Sequence, residues 1–369
     1  MNRKPSISSI QLLLMAVGSA LVFPFTFMPI LVSPPANQDV WVVLLISIIY
    51  ILAINLPLLF LMNKLRGMNF HDMAGTVFGK VAGKIILIPF ILFFLYCFTA
   101  CLLITVQFIN IYIFPETPTW ALLTTALIPA TYASYKGAGT IGRLAVFIVS
   151  FAIGAVILFF VLGIGKFDLN IIKPILADST FLDLNKGAFF TGARYSEILI
   201  FLVFSFYLKE DSSINKTYFS ALAVFACSFF LMLFPTILTL GIDLARHMWN
   251  PYYIYTSQVE AFNFLERVQS INALAWFPMA ILKLTMYNYM ASHTISGFVN
   301  AKSHKYFAIP LSIIVFIICS LPFLDNSNFI LLLRSDEVFP YVVLPITFVI
   351  PIVFLIVYCI RRKKIASYL

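Results

Sequence analysis

The chain has 369 residues, of which 62% are hydrophobic and only 11% charged, a composition outside the range of soluble globular domains. That excludes a water-soluble enzyme and requires an all-α integral membrane protein. The net charge of +9 does not point to nucleic acid, because nearly all the basic residues sit in short connections between apolar runs.

Apolar runs of about 20 residues, the length that crosses a bilayer core, predict ten spans. They lie at 8–32, 40–63, 84–113, 118–135, 143–164, 188–208, 216–241, 271–291, 307–323 and 338–360. No long polar segment separates them, so residues 1–369 are expected to form one transmembrane domain. The first run is too long for a signal peptide, carries Pro24 and Pro29, and is followed by further spans. Of the 24 lysines and arginines, sixteen then fall on one side of the membrane and six on the other. The positive-inside rule places both termini in the cytoplasm.

The connections repeat with opposite sidedness. Residues 64–84 mix polar and apolar positions (Phe70, Met73, Val77, Phe78, Val81) and suit a short surface helix; residues 242–270 have the same character five spans later. This layout predicts an inverted five-helix repeat, approximately 8–164 and 188–360, in which span 1 is equivalent to span 6.

Spans 1 and 6 both read as interrupted. Span 1 carries Val17-Gly18-Ser19 near its middle and Pro24 soon after. Two roles fit Gly18 and Ser19: close helix packing, or an unwound stretch whose backbone groups hold a ligand. Span 6 carries Gly187, Gly192 and the polar run Arg194-Tyr195-Ser196-Glu197. Glu197 is the one carboxylate within a span, which marks it as a functional candidate. If the run is helical, Arg194 shares its face and can pair with it.

Lys283, near the centre of span 8, is the second intramembrane charge, with Tyr287 one turn further on. Its ammonium needs a carboxylate, carbonyls or a bound anion. Glu197 and a ligand carboxylate are the two available partners. Span 3 adds Tyr96, Cys97, Thr99 and Cys101, either a polar wall or core packing. The five cysteines lack zinc-type spacing and read as reduced thiols. The four histidines fall in connections or at span ends. No metal, cofactor or catalytic residue is expected.

Several stretches resemble the B subunit of GerA-type spore germinant receptors. They are Asp168 to Leu176 after span 5, Trp249 and Pro251 before Val259-Glu260, Phe264-Leu265-Glu266-Arg267-Val268, and the Trp276-bearing span 8. That family is similar to the amino acid–polyamine–organocation transporters of LeuT-like fold. The resemblance implies a nutrient-detecting subunit of the spore inner membrane, with an A subunit and a lipoprotein C subunit as partners. It also implies a nutrient, often an amino acid, held between spans 1, 3, 6 and 8. Two departures stand out: Val17-Gly18-Ser19 replaces a Gly-Ala-Gly-like break, and Tyr195-Ser196 replaces a glycine before the matching Glu197. The competing expectation is a proton-coupled amino acid permease in which Glu197 carries the proton.

Overall fold

The structure, a computed structural model, describes residues 6–259, 269–321 and 339–366. Arg3, Lys4, Glu260, the 264–268 stretch with Arg267, and Arg334 lie outside the described residues. Among the described residues the regular structure is helical, apart from one isolated bridge between Ile7 and Leu208.

In the first half, α1 (Ser9–Thr26) leads through a single 3-10 turn, Pro29–Leu31, to α2 (Val40–Lys64). There follow the short α3 (Phe70–Phe78), then α4 (Lys80–Tyr112), α5 (Thr119–Lys136) and α6 (Ala138–Gly163). The second half begins with α7 (Phe181–Arg194), α8 (Ile198–Phe204) and α9 (Ile214–Leu240). The short α10 (Ile242–His247) and α11 (Pro251–Gln258) precede α12 (Gln269–Phe298) and α13 (Lys305–Cys319). Last come α14 (Phe339–Leu344), a π-helical turn over Pro345–Val349, and α15 (Ile350–Ala366).

With α7 joined to α8 and α14 to α15, these helices make the ten predicted crossings. Seven are long and apolar enough to cross a membrane on length and composition alone. The exceptions are α5, α12 and α13, and the first two carry polar side chains that the fold satisfies internally. Along α5, the hydroxyls of Thr124, Thr125 and Thr131 donate to carbonyls one turn back at 2.6 to 2.8 Å. In α12, Asn272, Lys283, Asn288 and Ser292 are all buried in protein rather than exposed on its outer face.

Local signals set the helix ends. Ser8 caps α1 in a reciprocal box: Gln11 N donates to Ser8 Oγ at 3.2 Å, and Ser8 N donates to Gln11 Oε1 at 2.8 Å. The predicted surface helix is α3, which buries Phe70, Met73, Ala74 and Val77. Val81, expected on that helix, lies in the first turn of α4 instead and is exposed.

The packing repeats when the two halves are exchanged. α1 packs on α9, and its counterpart α7 packs on α2; α4 packs on α5 as α12 packs on α13. Connecting helices follow the same rule. Arg361 of α15 donates to the Val77 carbonyl at the end of α3, while Tyr255 of α11 donates to the Phe159 carbonyl of α6 at 2.7 Å. α3 and α11 are thus each fastened to the last span of one half. At the centre lie α1 and the wholly buried α8.

Candidate functional site

The site forms where α7 stops. Gly192 brings α7 against α2 so closely that a Cβ there would come within 2.7 Å of Tyr50 Cβ. Two residues later the helix ends at Arg194, and the chain leaves helical geometry through Tyr195 and Ser196. The Tyr195 ring packs against Phe225 and Phe229 of α9, at centroid distances of 5.3 and 5.0 Å. Ser196 donates its hydroxyl to Asn55 Oδ1 of α2, and Asn55 Nδ2 donates to Tyr218 Oη of α9 at 2.8 Å. These contacts hold the interruption open from two sides.

Glu197 closes the interruption as the N-cap residue of α8, where the helix dipole favours a negative charge. The expected sharing of a helix face by Arg194 and Glu197 does not arise, because the helix ends between them. The carboxylate pairs instead across the bundle. Lys283 Nζ lies 2.9 Å from Glu197 Oε1 and donates at 2.7 Å to the carbonyl of Ser19 in α1. The same ammonium stands 3.8 Å from the ring centre of Phe23 and 5.6 Å from that of Tyr287. The lysine side chain is fully buried, and that of Glu197 is 14% exposed. An isolated ammonium at this depth is untenable; a carboxylate, a carbonyl and an aromatic face together make it stable.

Span 1 departs from expectation. α1 runs without a break through Val17, Gly18 and Ser19 and leaves helical geometry only at Phe27 and Met28, before the 3-10 turn. Gly18 is a packing position: an added Cβ would collide with Cγ2 of Val149 on α6. Its backbone is therefore not an unwound ligand cradle. The backbone does contribute to the site through carbonyls engaged from α12, since Trp276 Nε1 donates to Val22 O at 3.3 Å beside the Lys283 bond to Ser19. The buried Ser19 Oγ has no hydrogen-bond partner among the described residues.

Two small cavities flank Glu197. One, about 30 Å³, is bounded by Val17, Asn55, Tyr195 and Tyr218; the other, about 20 Å³, is bounded by Phe23, Cys97, Arg194, Ser196 and Tyr287. A water needs at least about 10–15 Å³, so each has room for roughly one. Of the expected site residues, Cys97, Arg194, Ser196, Glu197 and Tyr287 thus meet at one cavity and Val17 at the other. Tyr96 lies within electrostatic reach of Arg194, and its buried hydroxyl has no hydrogen-bond partner among the described residues. Gly18 alone faces away, toward α6. Asn55, Tyr218 and Phe23 belong to the site and were not expected. Asn55 gives the one usable signal, a lone amide in the interior of an apolar span.

The ten crossings, their exchange symmetry and the interrupted sixth span define the LeuT-type inverted-repeat fold. The chain is similar in structure to Mhp1, a nucleobase-cation-symport-1 family transporter in a closed conformation. The TM-score is 0.58 over 90% of this chain and 75% of that one, at 14% identity. The chain belongs to the spore germination protein family, whose model matches residues 6–330. Relatives include YfkT of Bacillus subtilis (strain 168), whose name places it among spore germination proteins. It is 25% identical, with 91% of this chain and 90% of that protein covered. Spore germination protein KB of the same organism is 23% identical, with 89% of this chain and 88% of that protein covered.

Proposed function

We propose that this chain is the nutrient-sensing subunit of a spore germinant receptor and binds a small nutrient of the amino acid class between spans 1, 3, 6 and 8. The observation that carries this reading is the Lys283–Glu197 pair, set against the Ser19 carbonyl where span 6 is interrupted. A buried ion pair is a costly way to hold helices together, and this one sits where the two halves meet. Family membership and the LeuT-type fold support the reading.

Charge narrows the ligand. Glu197 and the cations of Arg194 and Lys283 stand together at the site, groups whose chemistry complements the amine and the carboxylate of an amino acid. Val17, Ser19, Tyr96, Cys97, Ser196 and Tyr287 complete the site, with Gly18 set behind it as a spacer. Because the cavities have room for about one water each, a nutrient enters by parting α8 from α1 and α4. That movement is the signal passed to the A subunit and the lipoprotein C subunit. On this reading the protein lies in the spore inner membrane with both termini on the core side, and its repeats span approximately 8–164 and 188–360.

A thermal-shift screen of the detergent-solubilised protein against amino acids, sugars and nucleosides tests the site. Stabilisation by at least one nutrient, lost in Glu197→Gln, is the expected result; a shift that the variant keeps would place the ligand elsewhere. Uptake into liposomes separates sensing from transport. The sensor accumulates no labelled nutrient, whereas accumulation driven by a proton gradient would make the protein a proton-coupled amino acid permease.

A further inference from the structure

We propose that the groove between α5 and α13 binds an anionic phospholipid, with an acyl chain along the groove and the phosphate between Lys136 and Lys305. The groove encloses about 630 Å³ and is formed by one face of α5, from Thr124 to Lys136, and one face of α13, from Ile309 to Phe316. Its walls are apolar: Ile128, Ile309 and Ile313 are 65%, 51% and 54% exposed. The hydroxyls at its floor are already satisfied. Thr131 Oγ1 and Ser312 Oγ lie 2.6 Å apart, and Asn288 Nδ2 donates to Ser312 Oγ at 2.7 Å. What the groove presents to an occupant is therefore hydrocarbon.

Its length selects that occupant. The thirteen residues of helix from Thr124 to Lys136 rise about 18 Å, close to half of a hydrocarbon core about 30 Å thick. The groove thus has the depth of one leaflet, too short for a partner's membrane-crossing helix and suited to a lipid chain. At its end stand two cations on aromatic platforms. Lys136 Nζ is 5.1 Å from the Tyr132 ring centre, and Lys305 Nζ is 5.1 Å from that of Tyr135. Neither lysine is in an ion pair among the described residues. Basic groups over tyrosines at the mouth of an apolar slot match an anionic headgroup above its chain.

The test is native mass spectrometry of the full-length protein in detergent, titrated with phosphatidylglycerol, phosphatidylcholine or inorganic phosphate. The wild-type protein should retain phosphatidylglycerol in preference to phosphatidylcholine. Replacing both lysines (Lys136→Gln with Lys305→Gln) should weaken phosphatidylglycerol about 30-fold and leave phosphatidylcholine unchanged. Ile313→Trp, which fills the groove without touching the charges, should weaken both lipids, and it decides the matter should the double variant fail to fold. Equal retention of the two lipids, full phosphatidylglycerol binding in Ile313→Trp, or competition by inorganic phosphate at equal concentration would each overturn the proposal.

Discussion

Ser19 and Lys283 are 264 residues apart in sequence, yet the lysine ammonium donates to the serine carbonyl at 2.7 Å. Since the same ammonium holds Glu197 at 2.9 Å, one side chain of span 8 ties the backbone of span 1 to the interruption of span 6. Any movement that parts two of these elements must break a charged contact in the buried interior, where such contacts are stronger than in water.

Removing half of that pair should therefore be severe. Lys283→Met leaves a buried carboxylate unpaired and should lower stability by about 3–5 kcal/mol. Lys283→Met combined with Glu197→Leu should recover most of the loss. Thermal unfolding of the detergent-solubilised variants measures both, and a double variant no more stable than the single one would show that the pair is not the cause.

With an ammonium already seated against the span 1 carbonyl, the protein should need no sodium. Exchanging sodium for potassium should leave the unfolding temperature and any nutrient-induced shift unchanged. A sodium-specific rise in either would contradict this.

Gly18 should behave as a spacer. Gly18→Leu forces side-chain bulk into Val149 and should lower stability by roughly 1–3 kcal/mol or more. The milder Gly18→Ala should be partly rescued by Val149→Ala. If Gly18→Leu instead unfolds at the wild-type temperature and loses only its nutrient response, the residue acts on the ligand after all.

Asn55 links Ser196 to Tyr218, so Asn55→Leu strands two buried hydroxyls, at about 1–3 kcal/mol for each unsatisfied group. Adding Ser196→Ala and Tyr218→Phe should restore part of the loss, because no orphan then remains. Strict additivity of the three substitutions would mean that the chain of hydrogen bonds is not coupled.

Arg194 is buried to 5% exposure beside the cavity that holds Glu197. Arg194→Leu should change which nutrients trigger germination more than it changes subunit abundance. Germination of spores across a nutrient panel, with the subunit quantified in the same spores, measures this. An unchanged profile at normal abundance would remove Arg194 from the site.

Crossings and the span 6 interruption are legible in the sequence because charge within a membrane-length apolar run is rare and informative. The partnership of Lys283 and Glu197 is legible for the same reason: each is the other's natural counter-charge. Span 1 misleads. Gly18 and Ser19 have weak helix propensity, but packing against Val149 overrides it, and the chain leaves the helix only beyond Pro24, at Phe27. Asn55 is hard to read because its partners lie 141 and 163 residues away and a single amide announces no spacing. The two cavities beside Glu197 are not legible at all, since their volumes depend on how closely several spans approach.

α3 and α11 act on the molecule as separate clasps. α3 is fastened to α15 through Arg361, and α11 is fastened to α6 through Tyr255, at opposite faces of the bundle. Undoing one leaves the other shut. The two contacts share no residue, so an opening at both faces would require both to be broken.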